Sequence, residues 1–96
     1  MESEPTRYET CQIELEVKGF FLRAQSRFWA DAIGARGTYN AGTSSWVRGA
    51  LNDAWRDKTT DSIHRELINK LVQDGWEPTG STGSHYWQTR FRRPVK

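Results

Sequence analysis

The sequence predicts an α+β fold, in which an antiparallel sheet of four to five strands carries one helix on one face. Residues 11–18 alternate apolar and polar side chains, as in a strand with one wet face. Residues 63–72 repeat apolar side chains at helical spacing. Strand-like segments both precede and follow this single helix, which is typical of α+β domains. The predicted order is β-β-β-α-β-β, with a flexible start at residues 1–7, one domain at 8–93 and a short tail at 94–96.

Composition is sufficient for one small core. The 96 residues include five Trp, four Phe and three Tyr, and each ring buries about 150–250 Å². The single cysteine, Cys11, excludes an internal disulfide, and no apolar run approaches the roughly 18 residues of a membrane-spanning helix. The N-terminus is polar and acidic, unlike a signal peptide. We therefore expect a cytoplasmic protein.

A hairpin is predicted over residues 27–47, with the glycine-rich GARG segment as its turn. The inward face of its first strand is open to two interpretations. If Phe28, Ala30 and Ala32 face the core, Asp31 is exposed, and we favour this arrangement. If Trp29 faces inward instead, Asp31 is buried and becomes a candidate site residue, because a buried carboxylate requires donors.

Two connecting segments give weaker signals. Residues 20–26 change from apolar to polar without a clear period, and residues 49–58 fit either a loop or a short helical turn. Trp55 is interpreted as a lid on the core. The acids near this second connection are interpreted as caps and surface charge: Asp53, Asp57 and Asp61.

The helix is predicted in TTDSIHRELINKLVQDG, with apolar positions at Ile63, Leu67, Ile68, Leu71 and Val72. Thr60, Asp61 and Ser62 are each plausible N-caps. Gly75 fits the C′ position of a Schellman motif, in which Trp76 would pack on Leu71. Pro78 prevents the helix from continuing.

Two strands are predicted after the helix, at residues 76–80 and 85–93, joined across residues 81–84. Alternation in the last strand places its polar side chains on one face: Tyr86, Gln88, Arg90 and Arg92. The other face carries Trp87, Thr89 and Phe91.

The stretch DGWEPTG, followed by a small-residue turn and an aromatic strand ending in FRR, resembles small bacterial domains of unknown function. The upstream segment RFWADAIGARGTYNAG is also similar to segments that precede such helices in some of these domains. The resemblance covers the greater part of the chain. It implies a small helix-on-sheet domain and implies no activity.

The basic end of the last strand is the best candidate for a binding surface. Residues 78–96 carry four bases and no acid: Arg90, Arg92, Arg93 and Lys96. With Tyr86 and Gln88 beside them, and Trp29 if it points outward, they would form a nucleic-acid surface of phosphate-binding cations and stacking rings. The favoured alternative is a charge-paired wet face, in which Glu14 and Glu16 of a neighbouring first strand lie opposite Arg90 and Arg92.

Other patterns indicate structure and not chemistry. The glycine-serine stretch at residues 79–84 lacks the Gly-Lys-Ser/Thr ending of a phosphate loop and is interpreted as a turn. Cys11 is expected to pack as a small hydrophobe, and His64 is expected in solvent. With His85 as the second histidine, no metal-ligand spacing results, and no nucleophile and base converge. We predict neither metal nor cofactor, and no enzyme activity.

The function predicted from these observations is that of a small binding or protein-interaction module. Two alternatives are nucleic-acid binding through the basic last strand and homodimerisation by extension of the sheet at an edge strand. The expected partner is a protein or a second copy of the chain, with nucleic acid as the alternative. A membrane is not expected as a partner, because no spanning segment is present.

Overall fold

The computed structural model describes residues 7–49 and 58–95. These residues form six strands and one α-helix: β1 (Arg7–Lys18), β2 (Gln25–Gly34), β3 (Gly37–Thr43), β4 (Val47–Arg48), α1 (Lys58–Gln73), β5 (Glu77–Thr82) and β6 (Thr89–Val95). All strand pairs are antiparallel, in the order β3-β2-β1-β6-β5, and β4 pairs with the first residues of β2. The predicted α+β class with one helix on an antiparallel sheet is confirmed. The strand count exceeds the prediction because β4 adds a short strand before the helix.

The first strand, β1, lies at the centre of the sheet. Its odd-numbered side chains face α1, and among them Cys11 and Ile13 are buried. It pairs with β2 on one side and with β6 on the other. The first and last strands are therefore neighbours, as the charge-paired interpretation of the basic strand assumed.

The favoured arrangement of the second strand is confirmed. Phe28, Ala30 and Ala32 are buried and Asp31 is exposed. The predicted hairpin is also present, as β2 and β3. The helix lies so close to β3 that a Cβ atom built on Gly42 would be 3.4 Å from Leu67 Cδ1. A glycine at this position thus permits close packing of helix on sheet.

The helix presents its predicted stripe to the sheet. Ile63, Leu67 and Leu71 are buried, whereas Val72 at the edge of the stripe is 50% exposed. The predicted N-caps are wrong, because α1 begins at Lys58 and places residues 60–62 inside the helix. Thr60 is 2% exposed and packs in the interior instead of ending the helix.

The predicted helix end is confirmed as a Schellman motif. The Trp76 amide donates to the Leu71 carbonyl at 3.0 Å, and the Gly75 amide donates to the Val72 carbonyl at 3.1 Å. Gly75 has φ +92°, a left-handed conformation that side chains disfavour. Trp76 is 2% exposed, so the chain leaves the helix by burying a ring in the core.

The predicted bounds of the last two strands are wrong. β5 continues to Thr82 and β6 begins only at Thr89, so the connection is at residues 83–88 and not 81–84. The Gly83 amide donates to the Gln88 carbonyl at 2.9 Å, and the Gln88 side chain accepts from the His85 amide at 2.9 Å. These bonds close a compact loop in place of the first part of the predicted strand. Trp87 is nevertheless buried, with the His85 ring stacked on it at 4.8 Å.

The expectation that His64 lies in solvent is wrong. Its ring meets the Phe28 ring edge-on, with centroids 5.4 Å apart, and its Nε2 is 3.0 Å from the Trp87 carbonyl oxygen. The loop at residues 83–88 explains the difference, because it brings Trp87 against the first turns of α1.

Some predictions lie outside the described residues: most of the flexible start, Trp55 as a lid, Asp53, Asp57 and Lys96. The ambiguous residues 20–26 form a short 3-10 turn, Phe21–Arg23, followed by the start of β2. Within the described ranges, no helix has the length and apolar character needed to cross a membrane.

Candidate functional site

The face of the sheet opposite α1 carries a polar row that crosses the strands. In the observed register, Gln12 of β1 lies between Arg90 of β6 and Asp31 of β2, and Asp31 lies beside Asn40 of β3. We call this side of the sheet the open face. Side chains on paired residues point to the same face of a sheet, so a cation and an anion flank one amide.

A depression of about 420 Å³ occupies this part of the open face. Arg90 and Asp31 contribute to its lining, together with the hydroxyl-bearing residues Thr10 and Ser81. Arg90 Nε donates to Gln12 Oε1 at 2.8 Å. Across residues 7–49 and 58–95, Arg90 forms no ion pair, and Asp31 forms neither an ion pair nor a side-chain hydrogen bond. Both charges are therefore available to a ligand.

The predicted pairing of Glu14 and Glu16 with Arg90 and Arg92 is wrong. Glu16 instead pairs with Arg27 on β2, at 2.8 Å, and Glu14 accepts from Gln88 Nε2 at 3.2 Å. The cause is the strand register, which sets Gln12 opposite Arg90 and Thr10 opposite Arg92.

Arg92 is already engaged on the open face. Its Nε is 3.5 Å from a carboxylate oxygen of Glu77 on the neighbouring strand, and its guanidinium lies 4.6 Å from the centre of the Tyr8 ring. Arg92 therefore contributes less free positive charge than its place in the sequence suggests.

Arg93 does not belong to the binding surface that the sequence predicted. It points to the helix face, where its guanidinium lies 4.5 Å above the Trp76 ring. Its Nη2 is 2.9 Å from a carboxylate oxygen of Glu9, and its Nη1 donates to the Asp74 carbonyl at 3.1 Å. Arg93 is odd-numbered in a strand whose even positions face outward, so its side chain reaches the helix face. Through these contacts it fixes the end of α1 to the sheet.

Glu9 is the centre of this contact. The Tyr39 hydroxyl and then Arg93 donate hydrogen bonds to its carboxylate and hold the pKa of Glu9 below its usual range. Burial and the hydrogen bond to Glu9 raise the pKa of Tyr39. We call Glu9, Tyr39 and Arg93 the helix-end clamp.

Two further residues of the predicted surface have different positions. Tyr86 is also misplaced by the prediction: it is half-buried against the hydrophobic core, with its ring centre 6.5 Å from that of His64. Tyr86 lies in the loop at residues 83–88, before β6 begins, so the alternation of that strand does not apply to it. Trp29, in contrast, points to the open face, two residues before Asp31.

A cation–aromatic cluster on the open face was missed. Lys18 Nζ and the Arg27 guanidinium lie 4.1 and 4.4 Å from the centre of the Trp46 ring. No sequence signal identified Trp46, because it follows the end of β3 at a point where the alternation is broken.

The open face is balanced in charge. Along β1, β2, β5 and β6 its basic side chains are Lys18, Arg27, Arg90 and Arg92, and its acidic ones are Glu14, Glu16, Asp31 and Glu77. The face therefore presents separated charges of both signs and not a positive field.

The single cysteine, Cys11, lies in the core. Cys11 is 4% exposed, and burial raises the pKa of its thiol to about 12. Thiolates are the reactive form of cysteine, so this side chain is inert near neutral pH. Within residues 7–49 and 58–95, no three His, Cys, Asp or Glu side chains are grouped as metal ligands.

Comparisons of the chain with protein-family models, with curated proteins and with solved structures gave no match.

Proposed function

We propose that this domain is a non-enzymatic binding module that holds a protein segment on the open face of its sheet. One observation carries the proposal: Arg90 and Asp31 flank Gln12 across a depression of about 420 Å³, and neither has an ion-pair partner in the described parts of the chain. Arg90 lies on β6 and Asp31 on β2, with β1 between them. Two interstrand spacings place their Cα atoms about 9.6 Å from each other.

The chemistry of the depression fits a polypeptide. A guanidinium binds carboxylates through two parallel hydrogen bonds, and a carboxylate on the far side accepts from a lysine, an arginine or a backbone amide. Thr10 and Ser81 add hydroxyls, and the half-exposed Ile33 adds an apolar contact. A segment with one acidic and one basic side chain at matching separation would satisfy both charges.

Nucleic-acid binding is the second candidate. Rings next to cations favour it, namely Tyr8 beside Arg92 and Trp46 beside Lys18 and Arg27. The charge balance of the open face opposes it, because phosphate binding depends on a basic patch and four acids would repel the backbone. Protein is for this reason the favoured partner.

Homodimerisation through an edge strand is less well supported. The edge strand β5 contains Pro78, which has no amide to donate, and its pairing with β6 shifts register between Pro78 and Thr82. The pairing of the other edge strand, β3, shifts register near Trp29 and Asp31. Prolines and bulges at edges oppose the addition of another strand.

The test is a selection of displayed random peptides on the wild-type domain, followed by affinity measurements on the selected peptides. We expect Arg90→Ala and Asp31→Ala each to weaken binding by about tenfold or more, since a hydrogen bond to a charged group contributes about 1.5–3 kcal/mol. Arg65→Ala is the matched control, because Arg65 is exposed on α1 and away from the open face. Equal binding by all three variants, or no selected peptide, would refute the proposal.

Titration with short single-stranded and duplex oligonucleotides separates the two candidates. A nucleic-acid surface would give a saturable change in tryptophan fluorescence that weakens steeply between low and near-physiological salt. We expect no such change.

A further inference from the structure

The connection between β1 and β2 displays three consecutive apolar side chains to solvent. Phe20 is 75% exposed, Phe21 90% and Leu22 94%. The other large hydrophobic residues that the structure describes are exposed by 55% or less. Isolated exposed apolar residues are ordinary, but a contiguous group marks an interaction site. We call residues 20–22 the apolar tip.

The backbone holds the apolar tip in a defined shape. Phe21 has φ +53°, and it is the sole non-glycine residue with positive φ in the described ranges. Left-handed backbone at such a residue costs roughly 1–2 kcal/mol and is concentrated at functional sites. The Arg23 and Ala24 amides donate to the Phe20 and Phe21 carbonyls, each at 3.2 Å.

The base of the loop is anchored in the fold. Ala24 is 5% exposed, and its carbonyl accepts from the Gly49 amide at 2.7 Å. A Cβ atom on Gly19 would lie 2.7 Å from the Arg23 carbonyl oxygen, so the turn requires a glycine there. The tip is thus a fixed projection with its side chains directed outward.

Basic residues outnumber acidic ones in the described segments next to the apolar tip. Residues 17–27 and 44–49 contain four bases and no acid: Lys18, Arg23, Arg27 and Arg48. The nearest acid along β1, Glu16, is already paired with Arg27 at 2.8 Å. This end of the molecule therefore differs from the balanced open face.

We propose that the apolar tip inserts into the headgroup region of a lipid surface that carries anionic lipids, while Lys18, Arg23 and Arg48 contact the headgroups. Interfacial binding depends on buried apolar area together with attraction to anionic lipid, and both are present here. A protein groove is a poorer fit, because a stable protein interface buries about 800 Å² per partner and a three-residue projection supplies only part of this. The expectation of no membrane partner considered spanning segments, whereas this tip would bind at the surface.

The test is flotation of the whole chain with phosphatidylcholine vesicles, with and without phosphatidylserine. We expect binding only to the phosphatidylserine vesicles. The variant Phe21→Ser/Leu22→Ser should bind about a hundredfold more weakly, since each large apolar side chain contributes roughly tenfold or more. Its matched control is Val72→Ser/Val95→Ser, which removes apolar side chains that are half-exposed elsewhere and should bind as the wild type does.

A charge variant tests the basic rim separately. Arg23→Glu should reduce binding by about fivefold or more, because each basic residue near an anionic surface contributes about 1 kcal/mol. Arg36→Glu, which makes the same change at the hairpin turn at the opposite end of β2, should not.

Three results would overturn the proposal. They are absence of flotation with anionic vesicles, flotation that the tip variant leaves unchanged, and a dimer in sedimentation that Phe21→Ser/Leu22→Ser dissociates. The last result would assign the tip to a second copy of this chain. Far-ultraviolet circular dichroism of each variant establishes that it is folded. We expect every variant to fold, because the substituted side chains are exposed or half-exposed and are not part of the core.

Discussion

The helix-end clamp should carry a measurable share of the stability of the fold. Arg93 is the common partner of Glu9, Tyr39, the Asp74 carbonyl and the Trp76 ring. Arg93→Met keeps an apolar stem of similar length and removes all four polar contacts. Glu9→Gln keeps an acceptor for Tyr39 and removes only the negative charge.

The expected magnitudes follow from exposure and contact type. A hydrogen bond to a charged group contributes about 1.5–3 kcal/mol, and a cation–π contact about 0.5–1 kcal/mol. The side chains of Arg93 and Glu9 are 31% and 19% exposed, so solvent screens the pair in part. We expect Arg93→Met to lower the free energy of unfolding by about 2–3 kcal/mol and Glu9→Gln by about 1–2 kcal/mol. In the double variant the total loss should be smaller than the sum of the two single losses by about 1 kcal/mol.

The assay is urea unfolding, followed by tryptophan fluorescence, at about pH 7 and about pH 3. The folded pKa of Glu9 is lowered by Tyr39 and Arg93, so its carboxylate stabilises the fold above the unfolded pKa. That contribution is lost as the pH falls through the folded pKa. The difference between wild type and Glu9→Gln should therefore shrink toward acid pH.

Two results would refute this reasoning. One is a Glu9→Gln loss that stays the same at both pH values, because the loss would then arise from packing and not from charge. The other is full additivity of the single variants, because residues that contact one another are expected to be coupled.

Three further predictions concern the helix end and the core. Gly75→Ala should lower the free energy of unfolding by about 1–2 kcal/mol, because alanine disfavours the positive φ of this position. A steric clash adds nothing, since a Cβ atom there would lie at an ordinary 3.6 Å from Arg93 Cδ. A neutral result in the same urea assay would contradict this. Trp76→Phe should cost far less than the roughly 3–5 kcal/mol of Trp76→Ala, because the buried Trp76 Nε1 has no hydrogen-bond partner to lose among residues 7–49 and 58–95. Equal costs of the two variants would count against this. Cys11 should resist a thiol-specific disulfide reagent at mildly alkaline pH until urea unfolds the chain, since burial raises its pKa to about 12; rapid reaction of the native protein would disprove its burial.

The fold could be predicted where one local pattern determines the outcome. The alternation in β1, the stripe of α1 and the Schellman residues Leu71, Gly75 and Trp76 each depend on neighbours in sequence, and the structure bears them out. The helix start and the loop at residues 83–88 depend on tertiary packing. Thr60 is buried inside the helix, and His64 is half-buried because Phe28 and the Trp87 carbonyl contact its ring, and no local period encodes either outcome.

The candidate site was only partly predictable, for a related reason. Alternation correctly assigned Arg90 and Arg92 to the outward face, and it assigned Trp29 there only conditionally. It could not place Asp31 beside Gln12 and Arg90, because that neighbourhood requires the order and the register of three strands. The sequence shows the three consecutive apolar residues of the apolar tip, but their exposure depends on where the chain turns between β1 and β2.

The register between β1 and β6 connects stability with the available charges. A shift of two residues would keep every side chain on its present face and set Glu14 opposite Arg90, a pair that contributes about 0.2–1 kcal/mol. The same shift would move Arg93 from Glu9 to the buried Cys11, where a guanidinium lacks its carboxylate and costs far more. The helix-end clamp and the core thus fix the register, and an ion pair on the open face is lost as a result. Arg90 is left with Gln12 as its partner, across from Asp31, which is the arrangement that a ligand would use.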